Sequence, residues 1–199
     1  MNTEMRKFLL KAIFIGALGT LIGTSDYSRL DSTSINVPIW FTIMIFVSHF
    51  QIILLFWLAF ENQIKAKNWL FAGFIGSTIY AILYWLLGSF VSDETSQFLI
   101  ILKQLFIGAL SAVPLWIAFK VNYPKAYLWI IANAIGYTFI EIYITNIHFI
   151  SGNETIRSFV NYSFLSMQVG VNGVWIAGYT LLGLILGIFS YKMIEGNAQ

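Results

Sequence analysis

The sequence predicts an all-α integral membrane protein, a bundle of six transmembrane helices built from two or three parallel two-helix hairpin repeats. Three observations predict this class. Hydrophobic residues make up 58% of the 199 residues and charged residues only 10%, whereas soluble domains carry roughly 25% charged residues. Six stretches are apolar enough to be candidate spans, and part of the sequence recurs at a fixed offset. Residues 1–199 are predicted to form a single transmembrane domain.

The predicted spans follow from the requirement for about 20 predominantly apolar residues in each membrane-crossing helix. They are Phe8 to Ile22, Pro38 to Phe60, Trp69 to Val91, Phe98 to Phe119, Ala126 to Ile144 and Phe164 to Phe189. The first span is the shortest and contains Lys11, whose aliphatic stem can run along lipid while its amine reaches water. Arg6 and Lys7 precede this apolar stretch, as they would in a signal peptide. Whether residues 1–25 are retained or cleaved stays open.

Basic residues predict the orientation of the chain. Seven of them lie before the first span or after the second, fourth and sixth spans: Arg6, Lys7, Lys65, Lys67, Lys120, Lys125 and Lys192. The alternate loops contain only Arg29 and Arg157. Because cytoplasmic loops carry an excess of Lys and Arg, both termini of this multi-pass chain are predicted to be cytoplasmic.

An internal repeat relates the second and third spans to the fourth and fifth. The stretch from Trp57 to Ile82 recurs from Trp116 to Ile142, at an offset of 59 residues that becomes 60 after one insertion. Gly76 then corresponds to Gly136, and we expect both glycines at close helix contacts. A fainter third copy includes the first span. A two-helix unit preserves direction, so the repeats are predicted to be parallel and to surround an axis along the membrane normal.

Ionisable residues inside predicted spans are costly in lipid, so each is a functional hypothesis. Lys103 in the fourth span and Glu141 in the fifth lie at similar depth. Two interpretations stay open: an ion pair that locks the bundle, or a site that receives both ends of a small zwitterion or relays a proton. Polar residues at similar depth either bond between helices or complete a ligand site. The candidate set is Lys103, Glu141, Gln104, Gln168 and Asn172.

His49 lies near the middle of the second span and is the one candidate for a cofactor ligand. The competing interpretation is a neutral, hydrogen-bonded core residue. A haem held by two histidines needs a second membrane histidine, and His148 falls outside the spans. We therefore predict no cofactor. The chain has no cysteine, no His-Glu-x-x-His motif and no Gly-x-Ser-x-Gly motif, so no metal site and no catalytic residue are predicted, and we do not expect an enzyme.

Two classes of function fit this pattern. The first is a small-solute transporter, or the membrane-embedded substrate-capture subunit of one. In size, helix count and a first helix rich in small residues, the chain resembles the substrate-binding components of energy-coupling-factor vitamin transporters. That resemblance is one of layout, without a shared motif. The alternative is a non-catalytic structural or assembly subunit of a larger membrane complex.

The expected partner in either case is the lipid bilayer, together with other membrane subunits or a second copy of the chain. Gly183 and Gly187 are spaced by four residues on the last span, which lets two helix backbones approach closely. They are therefore candidates for a homodimer contact as well as for packing within the bundle. A net charge of +2, without any run of basic residues, excludes nucleic acid as an expected partner.

Overall fold

The computed structural model describes residues 3–23, 37–60, 62–88, 97–151 and 170–195, which contain six α-helices and no strand. The predicted all-helical class is confirmed over these residues. The helices are α1 Thr3–Gly23, α2 Val37–Phe60, α3 Trp69–Gly88, α4 Gln97–Phe119, α5 Leu128–Ser151 and α6 Gly170–Glu195.

The helix bounds depart most from the predicted spans in α1, α5 and α6. α5 ends at Ser151, seven residues beyond the predicted Ile144, so His148 lies on this helix and not in a loop. α1 begins at Thr3, before the apolar stretch, because residues such as Arg6 and Lys7 are good helix formers although they cannot lie in lipid. α6 continues to Glu195 for the same reason. The predicted start of the sixth span at Phe164 lies outside the described residues. The bounds of α2 and α4 differ from the prediction by one residue.

The six helices form a closed ring. Each packs against the helix before it and the helix after it in sequence, and α1 packs against α6. The short loops 62–68 and 120–127 join antiparallel neighbours, as short connections do in helix bundles. The starts of α1, α3 and α5 and the ends of α2, α4 and α6 therefore share one end of the ring, which we call the loop end. A closed ring gives all six helices a common interior.

Aromatic side chains fill the interior at the loop end. We call this cluster the aromatic plug; it consists of Phe8, Phe56, Phe60, Trp69, Phe119 and Trp129, all buried. The Phe119 ring contacts both tryptophans edge-to-face. Its centroid lies 5.0 Å from that of Trp69 and 5.4 Å from that of Trp129. That geometry places the positive ring edge on the negative ring face. The plug therefore closes the interior of the ring at this end.

Hydrogen bonds fasten the two loops to each other. The Tyr123 hydroxyl accepts a bond of 2.8 Å from the backbone amide of Lys65 and donates one of 3.1 Å to the carbonyl of Gln63. The Asn122 side-chain amide donates to the carbonyl of Lys65. These bonds satisfy polar backbone groups that the helices leave unpaired, so the loop between α2 and α3 is fixed against the loop between α4 and α5.

Glycines allow the backbones of α1 and α6 to approach each other closely. A Cβ atom on Gly16 would overlap the carbonyl oxygen of Tyr179 and lie 3.0 Å from the Cα of Gly183. A Cβ atom on Gly187 would lie 2.6 Å from the Cβ of Ala12. Both glycines considered for a homodimer are thus covered by α1 of the same chain. A dimer through them would have to displace α1.

Gly76 and Gly136, which the repeat makes equivalent, also lie at close helix contacts. Gly76 on α3 is buried against the carbonyl oxygen of Ser111 on α4. Gly136 on α5 is buried against the side chain of Leu182 on α6. Each glycine therefore faces the helix that follows its own in sequence. Gly76 meets a backbone atom, whereas Gly136 meets the end of a flexible side chain.

Two helices are long and apolar enough to cross a membrane within the described residues. They are Trp69–Leu87 of α3 and Phe98–Phe119 of α4, with mean hydropathy 1.8 and 2.0. In each, 33% of the residues are buried inside the bundle, and the others are partly or fully exposed. Shorter apolar stretches, Ile45–Phe60 and Leu128–Ile142, lie in α2 and α5. Six helices are therefore observed, of which two satisfy the length and apolarity of a span.

Candidate functional site

Three rings from three helices meet in the interior at mid-height. The centroid of His49 on α2 lies 4.5 Å from that of Tyr80 on α3 and 4.9 Å from that of Tyr137 on α5, and the two tyrosine rings are 4.7 Å apart. All three side chains are buried. We call this group the histidine–tyrosine stack. His49 was singled out from the sequence, whereas Tyr80 and Tyr137 were not.

The hydrogen bonds of His49 define its tautomer. Its Nδ1 atom lies 2.9 Å from the hydroxyl oxygen of Ser77, and that hydroxyl donates a bond of 2.8 Å to the carbonyl of Gly73. Since a serine hydroxyl has one hydrogen, Nδ1 carries a proton and donates it to Ser77. In the neutral ring Nε2 is then an acceptor. It is buried and has no partner, a state that costs about 1 to 3 kcal/mol.

A second polar group lies about one helical turn farther from the loop end, roughly 6 Å along the helix axes. We call Lys103 and Gln104 on α4 and Glu141 on α5 the charged trio. Gln104 is 0% exposed, and neither atom of its carboxamide has a hydrogen-bond partner. Glu141 is half-buried, within coulombic range of Lys103 and in a side-chain hydrogen-bond contact with Gln104. The contact with Gln104 is longer than a normal hydrogen bond, and the contact with Lys103 does not close to a salt bridge.

Lys103 and Glu141 do not form the expected salt bridge. Among the residues that the structure describes, the one ion pair joins Lys7 and Glu4, at 3.2 Å. The amine of Lys103 instead lies 5.1 Å from the centroid of the Tyr84 ring on α3, a cation–π contact. The Lys103 side chain on α4 thus contacts α3, whereas Glu141 lies on α5, the other neighbour of α4 in the ring.

The stack and the charged trio are continuous. The ring centroid of Tyr80 lies 6.0 Å from that of Tyr84, the ring over which the Lys103 amine lies. Helices α2, α3, α4 and α5 therefore contribute to one polar, aromatic interior. Of the other predicted site residues, Gln168 lies outside the described residues. Asn172 lies on the first turn of α6, and its side chain is outside the described part.

This interior offers a defined set of chemical groups. They are a neutral imidazole acceptor, a carboxamide with donors and an acceptor, one cation and one carboxylate. Within the described ranges no group of three or more His, Asp or Glu side chains is placed to hold a metal ion. No family model matches the chain, and no curated protein or solved structure is significantly similar to it.

Proposed function

We propose that the chain is an integral membrane protein that captures a small polar solute inside its six-helix ring, as a transporter or as the substrate-capture subunit of one. The buried, unpartnered hydrogen-bonding atoms of His49 and Gln104 carry this proposal. Leaving such atoms unpaired costs free energy, and a solute that bonds to them removes the cost. Ligand sites in helix bundles have this form, an apolar enclosure with a few convergent polar groups.

The outer surface supports the membrane part of the proposal. Large apolar side chains on α3 and α4 point away from the bundle, including Phe71, Trp85 and Phe98, which are 70%, 51% and 65% exposed. The only charged residue within these two helices is Lys103. Soluble monomers rarely expose a contiguous apolar surface of this extent. Lipid is the solvent in which such a surface is stable.

The charge distribution supports an orientation with the loop end in the cytoplasm. The basic residues near the loop end are Arg6, Lys7, Lys65, Lys67, Lys120, Lys125 and Lys192, together with Lys11 on α1. By the positive-inside rule this end faces the cytoplasm. The aromatic plug then closes the cytoplasmic side, and the charged trio lies in the outer half of the ring. In this proposal solute enters from outside.

The backbone of the loops supports parallel hairpin repeats as part of the same proposal. In both loops, two successive amides donate to the carbonyl of the phenylalanine that ends the preceding helix, Phe60 or Phe119. In both, the amide of a buried tryptophan donates to an alanine carbonyl three residues earlier, at 3.1 Å for Trp69 and 3.0 Å for Trp129. The corresponding hydrogen bonds of the two loops are 59 or 60 residues apart in the chain, which is the offset of the sequence repeat.

Membrane topology can be tested with single cysteines, because the chain has none. We expect a membrane-impermeant maleimide to label Ser92→Cys, between α3 and α4, in intact cells. Lys67→Cys, at the loop end, should be labelled only after the cells are opened, since the positive-inside orientation places it in the cytoplasm. Labelling of Lys67→Cys in intact cells would contradict the orientation.

Solute capture can be tested by mass spectrometry of small molecules released from the purified protein. We expect the wild-type protein to retain a small metabolite and Gln104→Leu to retain at least tenfold less, because leucine matches glutamine in size but makes no hydrogen bond. Gln63→Leu, on the exposed loop end, is the matched control and should retain as much as wild type. Equal retention by Gln104→Leu, or none by wild type, would contradict capture. Co-purifying membrane proteins without a metabolite would instead favour the structural-subunit alternative.

A further inference from the structure

We infer that the captured solute is a small zwitterion, with an ammonium and a carboxylate group, and that the charged trio binds both ends of it. This inference rests on the proposed function and names the substrate class for the same site. Two observations lead to it. The opposite charges of Lys103 and Glu141 do not close on each other, and the fully buried carboxamide of Gln104, next to Lys103 on α4, has no partner at normal hydrogen-bond distance.

The separation of Lys103 and Glu141 is the first step of the argument. Opposite charges attract more strongly in a low-dielectric interior than in water, so a pair meant only to lock two helices would be expected to close. Here the amine of Lys103 lies over the ring of Tyr84 instead. A group placed between the two charges would bond to both. The charges of Lys103 and Glu141 cancel. The interior therefore stays without net charge only when the bound solute is itself electrically neutral.

Gln104 supplies the second step. Its carboxamide has two N–H donors and one carbonyl acceptor, and it is the immediate neighbour of Lys103 on α4. A carboxylate bound here accepts from the Lys103 amine and from the Gln104 amide nitrogen. An ammonium donates to the Glu141 carboxylate and to the Gln104 amide oxygen. A simple amine or a simple acid would satisfy only half of these groups.

The surroundings limit the rest of the solute. Tyr80 and Tyr84 line the approach to the trio, and aromatic faces attract an ammonium group. The unpartnered Nε2 of His49 lies about one turn deeper, roughly 6 Å along the helix axes. It accepts a hydrogen bond from a donor on the end of the solute remote from the charges. These groups are chemically complementary to a compact molecule with its zwitterionic head toward Gln104 and an N–H or O–H donor toward His49.

The substrate class can be tested by thermal unfolding of the purified protein with matched probes. Histidine and alanine are the zwitterions; histamine and ethylamine lack the carboxylate, and imidazolepropionate and propionate lack the ammonium. The rest of a 20-amino-acid panel extends the set. We expect at least one amino acid to raise Tm saturably, with an affinity at least tenfold above that of its matched amine and acid. An amine or acid that binds as tightly, or a panel without any binder, would overturn the inference.

Two variants separate binding from folding. Lys103→Met should lose most of its preference for the zwitterion over its matched amine, because the cation that binds the carboxylate is gone and only the Gln104 amide remains. Glu141→Gln should do the same for the zwitterion and its matched acid. Lys120→Met is the control, since Lys120 also lies 5.1 Å from an aromatic ring, that of Trp116, but at the loop end. It should keep the wild-type preference. An unchanged preference in Lys103→Met would overturn the inference.

The outcome for the substrate class is distinct from the outcome for capture. If the purified protein retains a metabolite that depends on Gln104, but that metabolite is not a zwitterion, capture stands and the zwitterion inference is wrong. If nothing is retained and no probe binds, both are wrong.

Discussion

Replacing Trp129 with alanine is expected to destabilise the protein by about 3 to 5 kcal/mol, the usual range for deleting a buried large aromatic side chain. Trp129 is 2% exposed. Its ring centroid lies 5.4 Å from that of Phe119, 5.9 Å from that of Phe56 and 6.1 Å from that of Trp69. Alanine would leave a cavity at the centre of the aromatic plug. Equilibrium unfolding in detergent measures the change.

Trp85→Ala is the matched control for this substitution. Trp85 lies on α3, 51% exposed, so its removal leaves no cavity and loses contacts with detergent or lipid rather than with protein. We expect a change below about 1 kcal/mol, as for most surface substitutions. An equal loss of stability in the two variants would show that the plug does not hold the loop end together.

Replacing Gly16 with alanine is expected to cost about 2 to 3 kcal/mol, although it adds a single methyl group. The new Cβ atom would overlap the backbone carbonyl of Tyr179 on α6. A carbonyl inside a helix cannot rotate away, so α1 and α6 must separate and lose their contact. Overpacking usually costs about 1 to 3 kcal/mol, and an immovable neighbour places this case at the upper end. The midpoint of thermal unfolding in detergent should fall accordingly.

Gly136→Ala, on α5, is the matched control. Its new Cβ atom would meet Cδ1 of Leu182, the far end of a side chain that can change rotamer. We expect a loss below about 1 kcal/mol, the lower limit for overpacking. If Gly136→Ala is as harmful as Gly16→Ala, close approach of the α1 and α6 backbones does not explain the effect.

The helices were predictable because length and apolarity determine where a chain can remain helical in lipid. α3 begins at Trp69 and α4 ends at Phe119, as the predicted span limits require. Polar helix ends were not predictable by the same rule. α1 reaches back to Thr3 and α6 continues to Glu195 because helical propensity does not stop where hydrophobicity does.

Part of the candidate site was predictable from depth alone. Residue position fixes height along a helix at about 1.5 Å per residue, and this placed Lys103, Gln104 and Glu141 in one layer. Direction around the helix axis depends on packing against neighbours, which the sequence pattern does not determine. Equal depth alone led to the expectation of a salt bridge. The contact of Lys103 with the Tyr84 ring depends on direction and was not expected.

Tyr80 and Tyr137 were missed because tyrosines in membrane proteins are first interpreted as part of the interfacial aromatic belt. Both lie in mid-helix, where that interpretation does not apply. Their meeting with His49 depends on the closure of the ring, which turns faces of α2, α3 and α5 toward one interior. The contact between α1 and α6 that closes the ring joins the two ends of the chain, beyond the range of any local pattern.

The order in which helices leave the ribosome gives that contact a further consequence. A domain generally folds as a unit, and here α1 meets its main partner only when α6 has been made. Until then Ala12 and Gly16 lack the surface that covers them in the finished ring, and the interior containing His49 and Gln104 is open on one side. A nascent chain thus acquires its enclosed polar interior in a single late step. Truncation before α6 is expected to give a product whose interior stays open on one side, a natural substrate for cellular quality control.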